Sequence, residues 1–318
     1  MINSNLKIKT SEAVFYLLCS LFLFFANAQE KKDKVNHNLI ELFKEWRNFE
    51  IPPLKEGVPD YSKNTFDVRF KEYKKLRNKL ESFSIDLWPV HNQVDWYLLW
   101  AEMNGYLFNY KILKPWERDP AFYKSIWTYK SDVPAHEGPT PHFTVELWQY
   151  NFPLNKKDRI KLLSSLELIP KFNKQAKINL TGNARDLWIA GIRDIEKQSQ
   201  ILEDLNLKPG VAKDKKLVMQ IKNAKDSTDN FVKWLKKEAF KKNGPSGIGK
   251  ENYTWYQQNV HLVPMTWEDE VFLLKRELAR AWSSLKLEEH RNRKLPQLKP
   301  ADSPYSYKKL AENAAKEL

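Results

Sequence analysis

Apolar residues recur along this chain at spacings of three and four, the period of an α-helix with one buried face. Phe66, Phe70, Tyr73, Leu76, Leu80 and Phe83 form the first such stripe, with Asn64 and Asp67 placed as its N-cap and N3 partner. Asn155 and Asp158 repeat that arrangement ahead of Ile160, Leu163 and Leu166. Pro170 is expected to open a further helix and Gly182 to close it. Trp188, Ile192, Ile195, Leu202 and Leu205 give another stripe, stopped by Pro209-Gly210. Leu217, Ile221, Ala224, Thr228, Phe231 and Leu235 step by four and three through a helix that should pack along its whole length. Lys236, Lys237, Lys241 and Lys242 load its C-terminal end, as the helix dipole favours, and Asn243-Gly244-Pro245 ends it. After Pro264, Thr266 and Asp269 read as a capping box, and Val271, Leu274, Leu278, Ala281, Trp282 and Leu285 as a buried stripe.

The stretch 84–152 breaks this rhythm. It is rich in Trp and Pro, and only the residues through Val94, Trp96, Leu99, Trp100, Met103 and Leu107 form a clear helix. The rest reads as short helices joined by ordered loops. No alternating pattern long enough for a strand occurs, and only 9 glycines serve 318 residues. The expected fold is all-α, a multi-helix globular array, in one domain over 29–318, since no composition break divides that range.

The first 28 residues read as a secretory signal peptide. Lys7 and Lys9 precede an apolar run from Ala13 to Phe25, and Ala26-Asn27-Ala28 supplies an A-x-A cleavage site before Gln29. The run is shorter than the about 20 residues a bilayer span requires. A lipid anchor on Cys19, the single cysteine, is disfavoured because the apolar run continues past it. The chain is therefore expected to be exported, periplasmic or extracellular, without stable membrane insertion after cleavage. A disulfide framework and a cysteine zinc site are excluded. Net charge is +13, and Lys outnumbers Arg 42 to 11. Arg is the usual reader of phosphates and bases, so this excess reads as solvated surface and not as a nucleic-acid face.

Candidate chemistry is sparse. Gly244 to Lys250 matches G-x-x-x-x-G-K, but Glu251 stands where a phosphate loop needs Ser or Thr, and a helix precedes it in place of a strand. It reads as a helix-to-helix loop. His136, Glu137 and His142 form the one His/Glu cluster, but the histidines are spaced six apart and Gly138, Pro139 and Pro141 intervene. A helical H-E-x-x-H zinc site is thereby excluded; the cluster reads first as structural or surface, then as a loop lining a cleft, and least as a metal site. Trp96 and Trp100 have core spacing; Asp95 and Glu102 lie on the opposite flank of that helix, as candidate cleft-lining carboxylates. No catalytic, cofactor-binding or metal-binding residue is assigned.

Several blocks together carry a resemblance. They are Glu45-Trp-Arg-Asn-Phe-Glu-Ile-Pro-Pro53, Gly57-Val-Pro-Asp-Tyr61, Trp88-Pro-Val90, Gln93-Val-Asp95 and Ala101-Glu-Met-Asn-Gly105. Pro115-Trp-Glu-Arg-Asp-Pro-Ala-Phe-Tyr123, Asp132-Val-Pro-Ala-His-Glu-Gly-Pro139 and Gly249-Lys-Glu-Asn-Tyr253 continue the series. The chain resembles exported bacterial proteins of the family called domain of unknown function 885, over roughly residues 36–310. The resemblance implies a helical fold similar to zinc carboxypeptidase-type metallopeptidases, whose zinc helix and downstream Glu ligand come late in a chain of nearly twice this length. No residue here matches those ligands. The expectation is an N-terminal, cleft-building half, inactive alone, with zinc only in the complete enzyme and a peptide substrate or a C-terminal half as partner. The rival expectation is a non-catalytic helical binding protein that uses the Trp-rich segment 88–127 for a peptide or glycan.

Overall fold

The computed structural model describes residues 37–130, 141–295 and 301–317. The signal-peptide reading, Cys19 and the Asp132–Pro139 block lie outside them. The order is α1 (37–50), β1 (Leu54–Lys55), β2 (Val58–Pro59), α2 (Lys63–Glu81), α3 (Val90–Phe108) and α4 (Pro115–Arg118). Then come β3 (Ile126–Trp127), β4 (Val145–Glu146), α5 (Lys156–Asn179), α6 (Arg185–Leu205), α7 (Lys215–Ala239), α8 (Lys250–Asn259), α9 (Trp267–Arg291) and α10 (Pro304–Glu317). The fold is all-α. Its strands are two-residue clips: β1 and β2 pair antiparallel, β3 and β4 parallel.

By its contacts the chain divides into two compact units, Met1–Pro264 and Met265–Leu318. The first holds two cores. α1, α2 and α3 enclose Leu39, Leu42, Trp46, Tyr73, Leu80, Trp96, Leu99 and Met103. α5, α6 and α7 enclose the larger one, through Leu166, Ile169, Phe172, Trp188, Ile195, Leu202, Ile221, Phe231 and Leu235. The aromatic segment between α3 and α5 packs onto it, with Trp116 stacked on Phe66 of α2 at 3.6 Å between ring centroids.

Local signals explain most helix ends. Asn155 caps α5 by accepting from the Asp158 N–H at 2.9 Å, and Asp214 caps α7 from Leu217 at 3.2 Å. Both arms of the Thr266–Asp269 capping box are present on α9. The cap of α2 is corrected from Asn64 to Ser62. Asp60 fixes that turn by accepting from the Ser62 N–H and the Thr65 hydroxyl, which starts the helix two residues early. α3 passes into a π-helical turn, Asn109–Leu113, which ends at Lys114 in the left-handed region, φ 42°.

Pro170 also needs correction, for it starts no helix: α5 runs through it from Lys156 to Asn179. A helix-interior proline costs about 3 kcal/mol, since it removes one N–H and crowds the preceding turn. Leu162, Leu166, Ile169, Phe172 and Ala176 are all fully buried along this helix. At about 1.5–3 kcal/mol for each of the larger side chains, their burial outweighs the proline.

The Gly244–Lys250 loop joins α7 to α8, as read from the sequence, and it caps α6 from a distance. The Ser246 hydroxyl accepts from the backbone N–H groups of Asp186 (2.8 Å) and Leu187 (3.2 Å), two donors that a helix N-terminus leaves open. Asn183 Oδ1 accepts from the N–H of Asn243 and of Gly244, each at 2.8 Å. Gly244 packs so closely on Asn183 that a Cβ would collide with its backbone.

In the second unit the stripe of α9 is corrected. No described residue of α9 is buried: Leu274 is 64%, Leu278 58% and Trp282 54% exposed. Periodicity identifies an apolar face but not a partner for it, and this unit holds only α9 and α10 among its described helices.

Candidate functional site

The residues singled out in the sequence do not converge. His136 and Glu137 lie outside the described residues. Asp95 sits exposed on α3. Glu102 is held structurally: its carboxylate accepts from the Trp46 indole N–H at 3.2 Å and from Arg47 Nη2 at 2.7 Å, tying α3 to α1. The His142 side chain is exposed, while its backbone N–H donates to the Tyr61 hydroxyl at 2.9 Å. The protein packed around His142 still desolvates the imidazole and lowers its pKa, and the positive Arg69 acts in the same direction. Among the described residues no three His, Cys, Asp or Glu side chains gather as a metal ion requires. The donors among the described residues do not fit a catalytic zinc.

Most tryptophans of segment 88–127 are structural. Trp96 lies in the smaller core and donates to Leu80 O at 2.9 Å; Trp100 carries the Arg77 guanidinium 5.0 Å from its ring centroid. Trp127, at the end of the segment, is different. It lines a cleft of about 360 Å³ with Lys124, Ile126, Thr128 and Tyr129, opposite Asp194, Lys197, Gln200 and Ile201 of α6.

The cleft is built on one buried side chain. Gln198 of α6 is fully buried, and its Oε1 accepts from the backbone N–H of Ser125 (2.7 Å) and of Ile126 (3.1 Å). Its Nε2 reaches Thr228 of α7 at 3.4 Å. Two main-chain donors that would otherwise be orphaned are thereby satisfied, and β3 is fixed against α6. The Val145 N–H donates to Ser125 O at 2.6 Å and adds β4 to the same support.

Charge at the cleft is mixed. Lys124 Nζ lies 4.3 Å from the Trp127 ring centroid, a cation–π contact, and 3.7 Å from Asp194 Oδ1. Trp127 and Tyr129 meet edge to face with centroids 6.2 Å apart. Tyr129 is 63% exposed, so one ring is open to a ligand. The Trp127 Nε1–H is buried and has no hydrogen-bond partner. Behind the cleft, burial raises the pKa of Asp119, and the negative charge of Asp194 adds to it. Such a surface offers aromatic faces for stacking and lysine, amide, hydroxyl and carboxylate groups for hydrogen bonds. It offers no nucleophile activated by a base.

A sequence signal for this cleft does exist. Asp194, Lys197 and Ile201 follow i, i+3 and i+7 on α6, one helical face adjoining the buried one. Nothing in the sequence pairs that face with Trp127.

No family model matches the chain, and no curated protein does. Among solved structures the chain is similar to one described as "a putative lipoprotein of unknown function from Shewanella oneidensis", with a TM-score of 0.51 and 16% identity. The match covers 88% of this chain and 51% of that one, so the chain spans about half the length of its structural neighbour. At this identity the likeness is one of fold.

Proposed function

We propose that this is an exported helical binding protein that takes a peptide or glycan in the cleft between β3 and α6. The observation that carries the reading is the Trp127–Tyr129 aromatic pair, held at the mouth of a 360 Å³ cleft by the buried Gln198. Aromatic faces flanked by a few polar groups suit sugar rings and peptide side chains alike. Export is supported by the A-x-A site after a short apolar run, and a neighbour described as a lipoprotein is compatible with an envelope location. No helix of the described residues is long and apolar enough to cross a membrane.

The test is calorimetric titration of the purified protein with soluble cell-wall glycan fragments and with short peptides. Saturable binding is expected, weakened at least tenfold in Trp127→Ala and in Tyr129→Ala, both with an unchanged helical spectrum. Binding that ignores both substitutions would place the ligand elsewhere and overturn the reading.

A second reading makes the chain the cleft-building half of a larger zinc peptidase. Its support is the series of sequence blocks between Glu45 and Tyr253 that resemble the longer family. On this reading, zinc-dependent peptide hydrolysis appears only when a second polypeptide bearing an H-E-x-x-H helix is added. Hydrolysis by the purified chain alone would refute it.

A further inference from the structure

A second cleft of about 360 Å³ lies between α5 and α7, away from Trp127. Its lining is Pro170, Asn173, Lys174 and Lys177 from α5, and Ser227 and Asn230 from α7. Two of the six are lysines and none is acidic. Neither lysine has a carboxylate partner among the described residues, whereas other lysines of these helices do: Lys222 pairs with Asp226 at 2.6 Å and Lys225 with Asp229 at 3.0 Å. Lys177 donates only to the Asn230 carbonyl, at 3.3 Å. Its pKa is lowered by burial, with no opposing carboxylate to restore it.

The floor is polar as well. Asn173 is 1% exposed, and its Nδ2 donates to Ser227 Oγ at 3.2 Å. Because Ser227 Oγ accepts that bond, its own proton is left to donate to something else. Asn173 Oδ1 is buried without any partner, an expensive state for an amide oxygen in a packed helix pair. Two lysines and a hydroxyl thus present donors above a buried amide.

We propose that the α5–α7 cleft is a binding site for a phosphate-type oxyanion, held by Lys174, Lys177 and the Ser227 hydroxyl over the Asn173 floor. The ammonium groups carry the charge complementarity and the serine supplies direction. The oxyanion could reach the site as free phosphate or as the headgroup of an anionic phospholipid. Its lining residues are distinct from those of the cleft at Trp127.

The test uses the whole chain at low ionic strength, titrated calorimetrically with inorganic phosphate and with sulfate. Single-site phosphate binding is expected, with sulfate as a competing oxyanion, and Lys174→Gln/Lys177→Gln should weaken it at least tenfold. The control Lys222→Gln, on the exposed face of α7, should leave it unchanged. Sedimentation with vesicles containing phosphatidic acid distinguishes the sources. Vesicle binding lost in the double variant, with free phosphate ineffective, assigns the site to a lipid headgroup. NMR of the lysine side chains should show the Lys177 pKa rising when phosphate is bound. Absence of binding in both arms, or binding equal in wild type and double variant, overturns the proposal. Ser227→Ala, a truncation on a half-buried position, provides a second variant should the lysine pair alter folding; phosphate affinity unchanged in it would remove the serine from the site.

Discussion

Gln198 shows how much one side chain can organise. It is an amide in the middle of an apolar helix face, and it serves two backbone donors of β3 and a hydroxyl of α7. Replacing it by Leu keeps the volume and removes every one of those bonds. Each buried donor left unpaired costs about 1–3 kcal/mol, so Gln198→Leu is expected to lose roughly 3 kcal/mol in urea unfolding. The loss should extend to ligand affinity at Trp127, because β3 is no longer fixed. Arg69 has a comparable place. Its guanidinium is 7% exposed, donates to the carbonyls of Ile51 (3.1 Å) and Phe49 at the end of α1, and lies over the Phe49 ring. A cation there meets the negative end of the α1 dipole. Neither role was legible in the sequence. The glutamine bonds span more than seventy residues, and no local pattern distinguishes a polar residue on a helix's buried side from one at its margin.

At the scale of single elements the sequence was more informative. The stripe of α7 is buried at every position it named, and the caps at Asn155 and Thr266 are as expected, because caps and periodicity depend on neighbours within one turn. It was misleading where packing overrides propensity, as at Pro170. The N-terminus of α7 offers a pH test. Asp214 accepts from the Leu217 N–H and pairs with Arg159 of α5, which lowers its pKa to about 2. A carboxylate with a depressed folded-state pKa stabilises the fold fully above its unfolded value, about 3.8. That stability is lost as pH falls through about 2. The Asp214→Ala variant should therefore be about 1–2 kcal/mol less stable at pH 7, mostly through the lost cap, since the pair is partly exposed and screened. The difference should shrink toward zero below pH 2 in thermal melts.

α6 supplies the opposite case, a residue whose absence of side chain matters. A Cβ at Gly191 would stand 2.7 Å from the Ala121 N and 2.8 Å from Pro120 Cβ. Alanine would gain up to about 1 kcal/mol in helix propensity. Overpacking against backbone costs about 1–3 kcal/mol, so the steric term wins. Gly191→Ala is expected to lower the melting temperature and to loosen the 3₁₀ turn Pro120–Tyr123, read as faster amide exchange at Phe122 and Tyr123.

For the whole molecule, the all-α class followed from period and glycine scarcity, and the structure has it. Division into two units did not follow, because composition runs evenly across Pro264. Nor did the exposure of α9, whose stripe of Leu274, Leu278 and Trp282 looks in sequence like any buried helix face. The same limit applies to the site: the Trp-rich segment pointed to aromatic recognition, yet the cleft is lined by Trp127 at its very end, and its α6 counterpart lies about seventy residues downstream. Of the two candidate carboxylates on α3, Glu102 fastens α1 and Asp95 stays exposed.

The reach of Ser246 back to the start of α6 makes the α6–α7 hairpin a loop closed twice. One end is joined covalently through the turn around Gly210, where Val211 is buried; the other is joined by Ser246, Asn183 and Gly244. Cutting the covalent end would therefore leave a topology that still holds. The two pieces would also share the apolar seam of Trp188, Ile195, Leu202, Ile221, Phe231 and Leu235. Cleavage at a protease site introduced into the exposed turn 207–210 should give two fragments that co-elute on gel filtration and separate only in denaturant. With Ser246→Ala the far clasp loses its hydroxyl, and the nicked protein should come apart at a lower denaturant concentration than the nicked wild type. The chain can in this way be split into a pair of complementing segments, and function would then report on their reassembly.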